Sequence, residues 1–330
     1  KQQNQKEILV TQWDGPTVEK MGLLKMDFLG LKTLSVLERA RRLVQESLEQ
    51  GTIREAVGLR PEQARDPLDL DRIDFGDQRV LELYRRGDTI GTFQFESEGM
   101  RNLLLKMKPD RLEDLVAATA LFRPGPMALI DDYCDRKHRR KPVPRVHEIV
   151  DRFTADTYGI MVYQEQVMLI AHELGGIPLR EAYKLIKAIS KKKSETINAA
   201  RERFVAGAQD HGLEKRKAEE LFDLILRFAG YGFNKSHSVG YSILAFQTAF
   251  MKTYFPIQYM AAVLTYESDH TDKLAFYLDE CKRVMLPDGR RGIDVQAPDI
   301  NLSGYRFQVV YEPGEERVPE QGHIRFGLCA

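Results

Sequence analysis

The sequence predicts a mainly α fold, one large helical domain bracketed by short β segments. Three observations carry this. From residue 79 to about 285, apolar residues recur at helical spacing with polar faces opposite, and turn residues interrupt them at short intervals. Near one end, Gly22-Leu-Leu-Lys25-Met-Asp27-Phe-Leu-Gly30 reads as a strand with Lys25 and Asp27 on one face and Leu24, Met26 and Phe28 on the other. At the other end, Tyr305-Arg-Phe-Gln-Val-Val-Tyr311 and residues 323–328 read as a closing hairpin.

Composition fits a soluble globular chain. With 330 residues, 43% of them hydrophobic and 30% charged, the chain can bury a sizeable core in one large or two modest domains. The formal net charge is zero, so basic clusters have to be weighed one by one. No apolar run approaches the ~20 residues of a membrane span, and the start Lys1-Gln-Gln-Asn-Gln-Lys6 has no signal-peptide character. A cytosolic protein without a membrane partner is expected. Cys134, Cys281 and Cys329 are far apart, which excludes a zinc cluster or disulfide framework, and the histidines are scattered. No Ser/His/Asp order stands out. The lack of an initiator methionine and the finish at Gly327-Leu-Cys-Ala330 lead us to expect a segment of a longer polypeptide.

The elements follow in order. After Gly30 a helix is predicted with Leu31, Leu34, Leu37, Val44 and Leu48 near one face and Gly51 as its stop. Residues 52–78 are a mixed connector containing Asp69-Leu-Asp71-Arg-Ile-Asp74. Its alternating carboxylates imitate a metal pair, but in turn-rich surroundings aspartates serve as caps. Helical segments are predicted near 79–86 and 97–107, then from Asp110 to Leu121 with Asp110 as N-cap and Glu113 behind it. Further helices are predicted at 163–174, 179–190, 194–210 with Ser194 as N-cap, 215–229, 238–254, 257–267 and 271–285, before a turn at Pro287-Asp-Gly289. There is no internal repeat, heptad seam or low-complexity tract.

Several motifs can carry chemistry. Lys25 and Asp27 are either an ion pair on an edge strand or a phosphate-neutralising cation beside a metal-seeking carboxylate. In Arg123-Pro-Gly-Pro126 the proline disfavours helical geometry at Arg123, so the helix ends there. The guanidinium is then either incidental to the turn or a phosphate grip. Lys184, Lys187 and Lys191 form a basic stripe that continues into Lys192 and Lys193, either a solvated face or an anion contact. Asn234-Lys-Ser-His-Ser238 opens a long apolar helix and sets Lys235, Ser236, His237 and Ser238 beside free backbone N–H groups that favour anions. It lacks the glycine before lysine of a P-loop, and one serine is expected to act as N-cap. Tyr241, one turn on, is either core or a stacking surface. The run Arg136-Lys137-His-Arg139-Arg140-Lys141 reads as a basic loop suited to the DNA backbone. Polar side chains of Phe93-Gln-Phe-Glu-Ser97 and Tyr163-Gln-Glu-Gln166 either brace the fold or orient a template.

In order, Phe93-Gln-Phe-Glu-Ser-Glu-Gly-Met100, Leu121-Phe-Arg-Pro-Gly-Pro126, Tyr163-Gln-Glu-Gln-Val-Met168 and Tyr231-Gly-Phe-Asn-Lys-Ser-His-Ser238 form one set. Over nearly all of its length the chain resembles the catalytic alpha subunit of bacterial DNA polymerase III, the C-family replicative polymerase, from the last part of the palm through the fingers. The resemblance implies a division into a C-terminal palm piece (1–30), a connecting helix and linker (31–78), a helical fingers domain (79–285) and a β-containing exit (286–330). It implies template-directed primer extension from deoxynucleoside triphosphates (dNTPs), with two Mg²⁺ ions.

Asp27 would be one metal carboxylate, with Lys25 near phosphate. Arg123, Lys187, Lys191, Asn234, Lys235, Ser236, His237 and Tyr241 would form the nucleotide side of the site. Arg136, Lys137, Arg139, Arg140, Lys141, Lys192 and Lys193 are the candidates for the DNA backbone. Where the family carries paired arginines this chain has Ile186 and Lys187, so point-charge attraction survives and bidentate recognition does not. The family's paired aspartates lie upstream of Lys25, so the segment is expected to be inactive alone. Primer-template DNA is the implied partner, with the sliding clamp and other replicase subunits contacted through other segments. Two further readings stand beside this one: a noncatalytic helical module that binds DNA or protein, and a structural helical domain whose basic runs are solvated.

Overall fold

The computed structural model describes residues 9–329 other than positions 27 and 61. Fifteen α-helices and a small three-stranded sheet are present among them. A short helix α1 (Gly15–Lys20), capped by Asp14, comes first. The strand expected at 22–30 does not form: residues 23–26 and 28–30 have no regular secondary structure, and Leu23, Leu24, Met26, Phe28 and Leu29 are exposed. A strand needs a ladder with a neighbour, and the sheet of this protein is built from residues 295–325. Asp27 lies outside the described residues.

The helix after Gly30 is α2 (Lys32–Ser47), and it stops at Leu48, whose extended backbone (φ −120°, ψ 149°) turns its side chain into the core. Gly51 is not the stop; it lies inside α3 (Gln50–Ala56). In the connector, Asp69 accepts a hydrogen bond from Asp71 N at 3.2 Å and Asp74 one from Gly76 N at 2.8 Å, the capping role expected of them.

The helices α4 (Gln78–Arg85), α5 (Glu98–Met107) and α6 (Leu112–Leu121) lie close to their predicted bounds. The cap of α6 is Arg111 rather than Asp110. Between α6 and the next predicted helix the chain forms α7 (Ile130–Lys137) and α8 (Glu148–Phe153), both unforeseen. They are followed by α9 (Gln164–Glu173), α10 (Leu179–Ser190), α11 (Ser194–Asp210) and α12 (Lys215–Ala229). The cap of α11 is Lys193, with Ser194 its first residue. Last come α13 (Lys235–Tyr254), α14 (Pro256–Glu267) and α15 (Thr271–Cys281), which ends short of the predicted residue 285.

Two apolar cores result. In the larger, α14 packs against α2 and α15, and α13 against α4 and α6. The second half of α13 and nearly all of α14 are buried, which explains why both are apolar on every side rather than striped. The smaller core gathers α8 to α12 around Leu174, Phe204 and Phe222. Here Gly207 of α11 lies against Gly175: a Cβ at Gly207 would fall 2.6 Å from the Gly175 carbonyl, so the two backbones touch.

The predicted closing hairpin is present as β2 (Gln308–Val310) antiparallel to β3 (His323–Arg325). A third strand, β1 (Val295–Gln296), runs parallel to β3 on its other edge. Ile324, at the centre of the sheet, is fully buried. No helix among the described residues is long and apolar enough to cross a membrane.

Candidate functional site

The start of α13 organises the candidate site. Asn234 caps the helix, accepting from His237 N at 2.8 Å through its side-chain oxygen. Neither serine is the cap. Ser238 is buried and donates to Val116 O at 2.7 Å while sharing a hydrogen bond with Thr119, so it ties α13 to α6, whereas Ser236 is exposed. The backbone N–H of Lys235 is already engaged, since both carboxylate oxygens of Glu165 accept from it, at 3.1 and 2.9 Å. The helix end that looks in sequence like an open anion site is therefore partly occupied by a side chain of the same protein, with Ser236 N still without an acceptor among the described residues.

Alongside runs a row of groups in edge-on and tilted ring contact. The Arg123 guanidinium lies 4.3 Å over the Phe233 ring, Phe233 is 5.6 Å from His237, His237 4.3 Å from Tyr241, and Tyr241 5.3 Å from Phe93. The row borders a cleft of about 580 Å³, also lined by Gln94, Ser97 and Thr119. Tyr241 is thus at a cleft wall rather than in the core. Helix α6 ends ahead of Arg123, as its proline dictates, and Gly125 (φ 102°) takes the turn that lets Tyr231 pack directly against it. Arg123 donates to Ala120 O and Tyr231 O, both at 2.9 Å. Burial lowers its pKa, yet arginine stays charged at neutral pH.

Other predicted residues lie elsewhere. Asn234, Lys235 and Ser236 adjoin the cleft in sequence but do not line it, and neither do Lys187 and Lys191. The two lysines are on the exposed face of α10 and at its C-cap, with the Lys187 ammonium 4.6 Å over Tyr183. Ile186 is buried in the smaller core, so this position faces inward and only its neighbour can present a charge. Lys192 and Lys193 form an exposed turn between α10 and α11. Lys25 is exposed in the irregular segment, its chain running past Gly15.

The basic loop is only partly a loop, since Arg136 and Lys137 belong to α7. Lys137 is no surface cation: its side chain is 3% exposed and its ammonium lies 2.8 Å from both Asp110 and Asp114. Burial raises the Asp114 carboxyl and Lys137 opposes that rise. Arg136 donates to Tyr158 O, and the exposed Arg140 and Lys141 pair with Asp135 and Asp132, which leaves Arg139 as the exposed cation outside these pairs.

Sequence reasoning missed Glu165 and Phe233 as site residues. Glu165 stood in a singled-out motif, but a contact 70 residues along the chain has no local signature. The Gln166 carboxamide beside it is a structural brace, accepting from Val162 N and Tyr163 N and donating to Phe153 O and Thr157.

Comparison with known proteins defines the class. The family model of the bacterial DNA polymerase III alpha subunit finger domain matches residues 49–212. The DNA polymerase III subunit alpha of Thermus aquaticus is 43% identical over 326 residues, 97% of this chain and 24% of that protein. Those of Escherichia coli and Bacillus subtilis are 39% and 38% identical over 97% and 100% of this chain, which again spans 26% of each. The mainly helical architecture is consistent with a helical finger domain. The chain belongs to the bacterial DNA polymerase III alpha subunit family, and it spans about a quarter of the length of the curated relatives it matches.

Proposed function

We propose that this segment forms the fingers side of the nucleotide site in a DNA-directed DNA polymerase. The observation that carries the reading is the row from Arg123 through Phe233, His237 and Tyr241 to Phe93 beside the cleft. Aromatic faces give a base or sugar a stacking surface, and a guanidinium held at one end of that surface suits a phosphate. Arg123 and Lys235 supply positive charge to the triphosphate, with Asn234, Ser236 and His237 around it. Tyr241 supports the base or sugar.

The exposed lysines 187 and 191–193 and Arg139 contact the primer-template backbone and the triphosphate by salt-dependent attraction. In this reading residues 1–30 lead from the palm, 31–78 connect, 79–285 are the fingers and 286–330 lead onward. The clamp and other replicase subunits are engaged elsewhere, and the protein is cytosolic.

Polymerisation of this class uses two Mg²⁺ ions. Among the described residues no three acidic, histidine or cysteine side chains converge on a metal position. Asp27, the expected carboxylate, lies outside them. The described residues do not themselves build the metal site, and we expect the segment to be inactive alone.

The test uses a full-length polymerase carrying this sequence. A complementary dNTP should tighten the primer-template complex, and Arg123→Ala or Lys235→Ala should weaken that effect about 10- to 100-fold while plain DNA binding changes little. Binding of DNA that ignores the nucleotide in all three proteins would sink the reading and leave a noncatalytic DNA-binding module.

A further inference from the structure

The motif Tyr163-Gln-Glu-Gln166 grips the start of α13 at three points. Phe233 N donates to Val162 O at 3.2 Å and Gln164 N to Phe233 O at 2.9 Å, a parallel bridge between Tyr163 and Phe233. Glu165 accepts from Lys235 N with both oxygens and from Asn234 Nδ2 at 3.0 Å. The Lys235 ammonium lies 5.4 Å over the Tyr163 ring. Backbone and side chain of Lys235 are therefore both fixed against one short motif.

The first turn of a helix carries N–H groups without intrahelical acceptors, and together with the macrodipole they attract anions. In α13 two of these donors are engaged: Lys235 N goes to Glu165 and His237 N to the Asn234 side chain, while Ser236 N has no acceptor among the described residues. A phosphate arriving at Lys235 N would have to displace a carboxylate that the chain itself holds in place.

We propose that Glu165 is a positioning residue for the nucleotide. It occupies the Lys235 N–H from within the chain, so that Lys235 meets the triphosphate with its ammonium rather than its backbone N–H. It also fixes Asn234 and Lys235 relative to the aromatic row. This rests on the reading of the cleft as the nucleotide site. Loss of Glu165 lets Lys235 swing and opens the helix end to any phosphate, including pyrophosphate.

The test is steady-state primer extension by a full-length polymerase carrying this sequence, comparing Glu165→Ala, Glu165→Gln and Lys235→Ala, with thermal unfolding of each. Glu165→Ala should raise the KM for dNTP about tenfold or more with kcat changed far less, and should make the enzyme more sensitive to inhibition by added pyrophosphate. Glu165→Gln keeps the shape and one acceptor oxygen, so it should fall between wild type and Glu165→Ala. It also serves as the test should the alanine variant fail to fold. KM and pyrophosphate sensitivity unchanged in the Glu165 variants, with Lys235→Ala still raising KM, would overturn the inference and leave the nucleotide site standing. A fall in kcat and unfolding temperature without a KM change would overturn it too, because that is the signature of a structural brace. An unaltered KM in Lys235→Ala would instead remove the nucleotide site on which the inference rests.

Discussion

The Lys252 ammonium, on a side chain 2% exposed, donates to Glu280 across 2.7 Å and completes its shell with the carbonyls of Asp88 and Ile90 at 2.8 and 2.7 Å. The bond joins α13 to α15 beside the loop that leads to the cleft. Removing Glu280 leaves a buried cation uncompensated, so Glu280→Ala should cost about 3–5 kcal/mol of stability in denaturant unfolding.

The pH dependence of that variant has a definite sign. Burial lowers the Lys252 pKa, and Glu280 opposes the shift. When the folded pKa is below the unfolded one, the unfolded chain holds the proton more tightly, and stability rises with pH between the two values. Without Glu280 that interval widens. The deficit of Glu280→Ala should therefore be larger at about pH 7 than at about pH 9.5, and a deficit constant across this range would contradict the assignment.

Two glycines in helices should respond to alanine in opposite directions. Gly207→Ala pushes a methyl into the Gly175 backbone and should cost about 1–3 kcal/mol, although alanine is the better helix former. Gly51→Ala, in α3 with nothing within 4 Å of the new carbon, should gain about 0.4–1 kcal/mol. Paired urea titrations separate the two.

In the basic run, Arg139 and Lys137 should part company. Arg139→Ala should leave the melting temperature unchanged and lower the salt dependence of DNA binding by about one phosphate contact. Lys137→Ala should instead destabilise the fold by about 3–5 kcal/mol, because Asp114 is left buried with only Arg111, 3.8 Å away, as a counter-charge. A Lys137 variant that melts normally would show the burial to be wrong.

Thiol chemistry should be equally divided. Burial pushes the Cys134 thiol up to about 11 and the Cys281 thiol up to about 12, while Cys329 is exposed. At neutral pH a thiol reagent should modify Cys329 quickly and the other two only on unfolding, because the thiolate is the nucleophile.

What was legible in the sequence follows from what is local. The bounds of α10, α11 and α12 are those read from the sequence, because each carries an apolar stripe between strong stops. The segment 22–30 misled because alternation describes a face and not a partner, and a strand requires both. The burial of Lys137 and Ile186 was invisible for a similar reason: which side of a helix meets a core depends on residues distant in sequence. The motifs marked the neighbourhood of the site, and Arg123, His237 and Tyr241 do line one cleft. The occupant of the α13 helix end was not legible, since Glu165 comes from 70 residues away.

The Tyr163–Phe233 bridge has a topological meaning as well. Everything from α9 to α12 leaves and returns at that one point, where Gln164 N and Phe233 O are hydrogen-bonded. Such an excursion is a cassette: most of its core lies between its own two ends, which are already joined. Exchanging it for the matching stretch of a relative would need that closure, the Glu165–Lys235 and Arg123–Tyr231 bonds and the packing against α8 to be re-formed, and the lysine-bearing turn would travel with it as a unit.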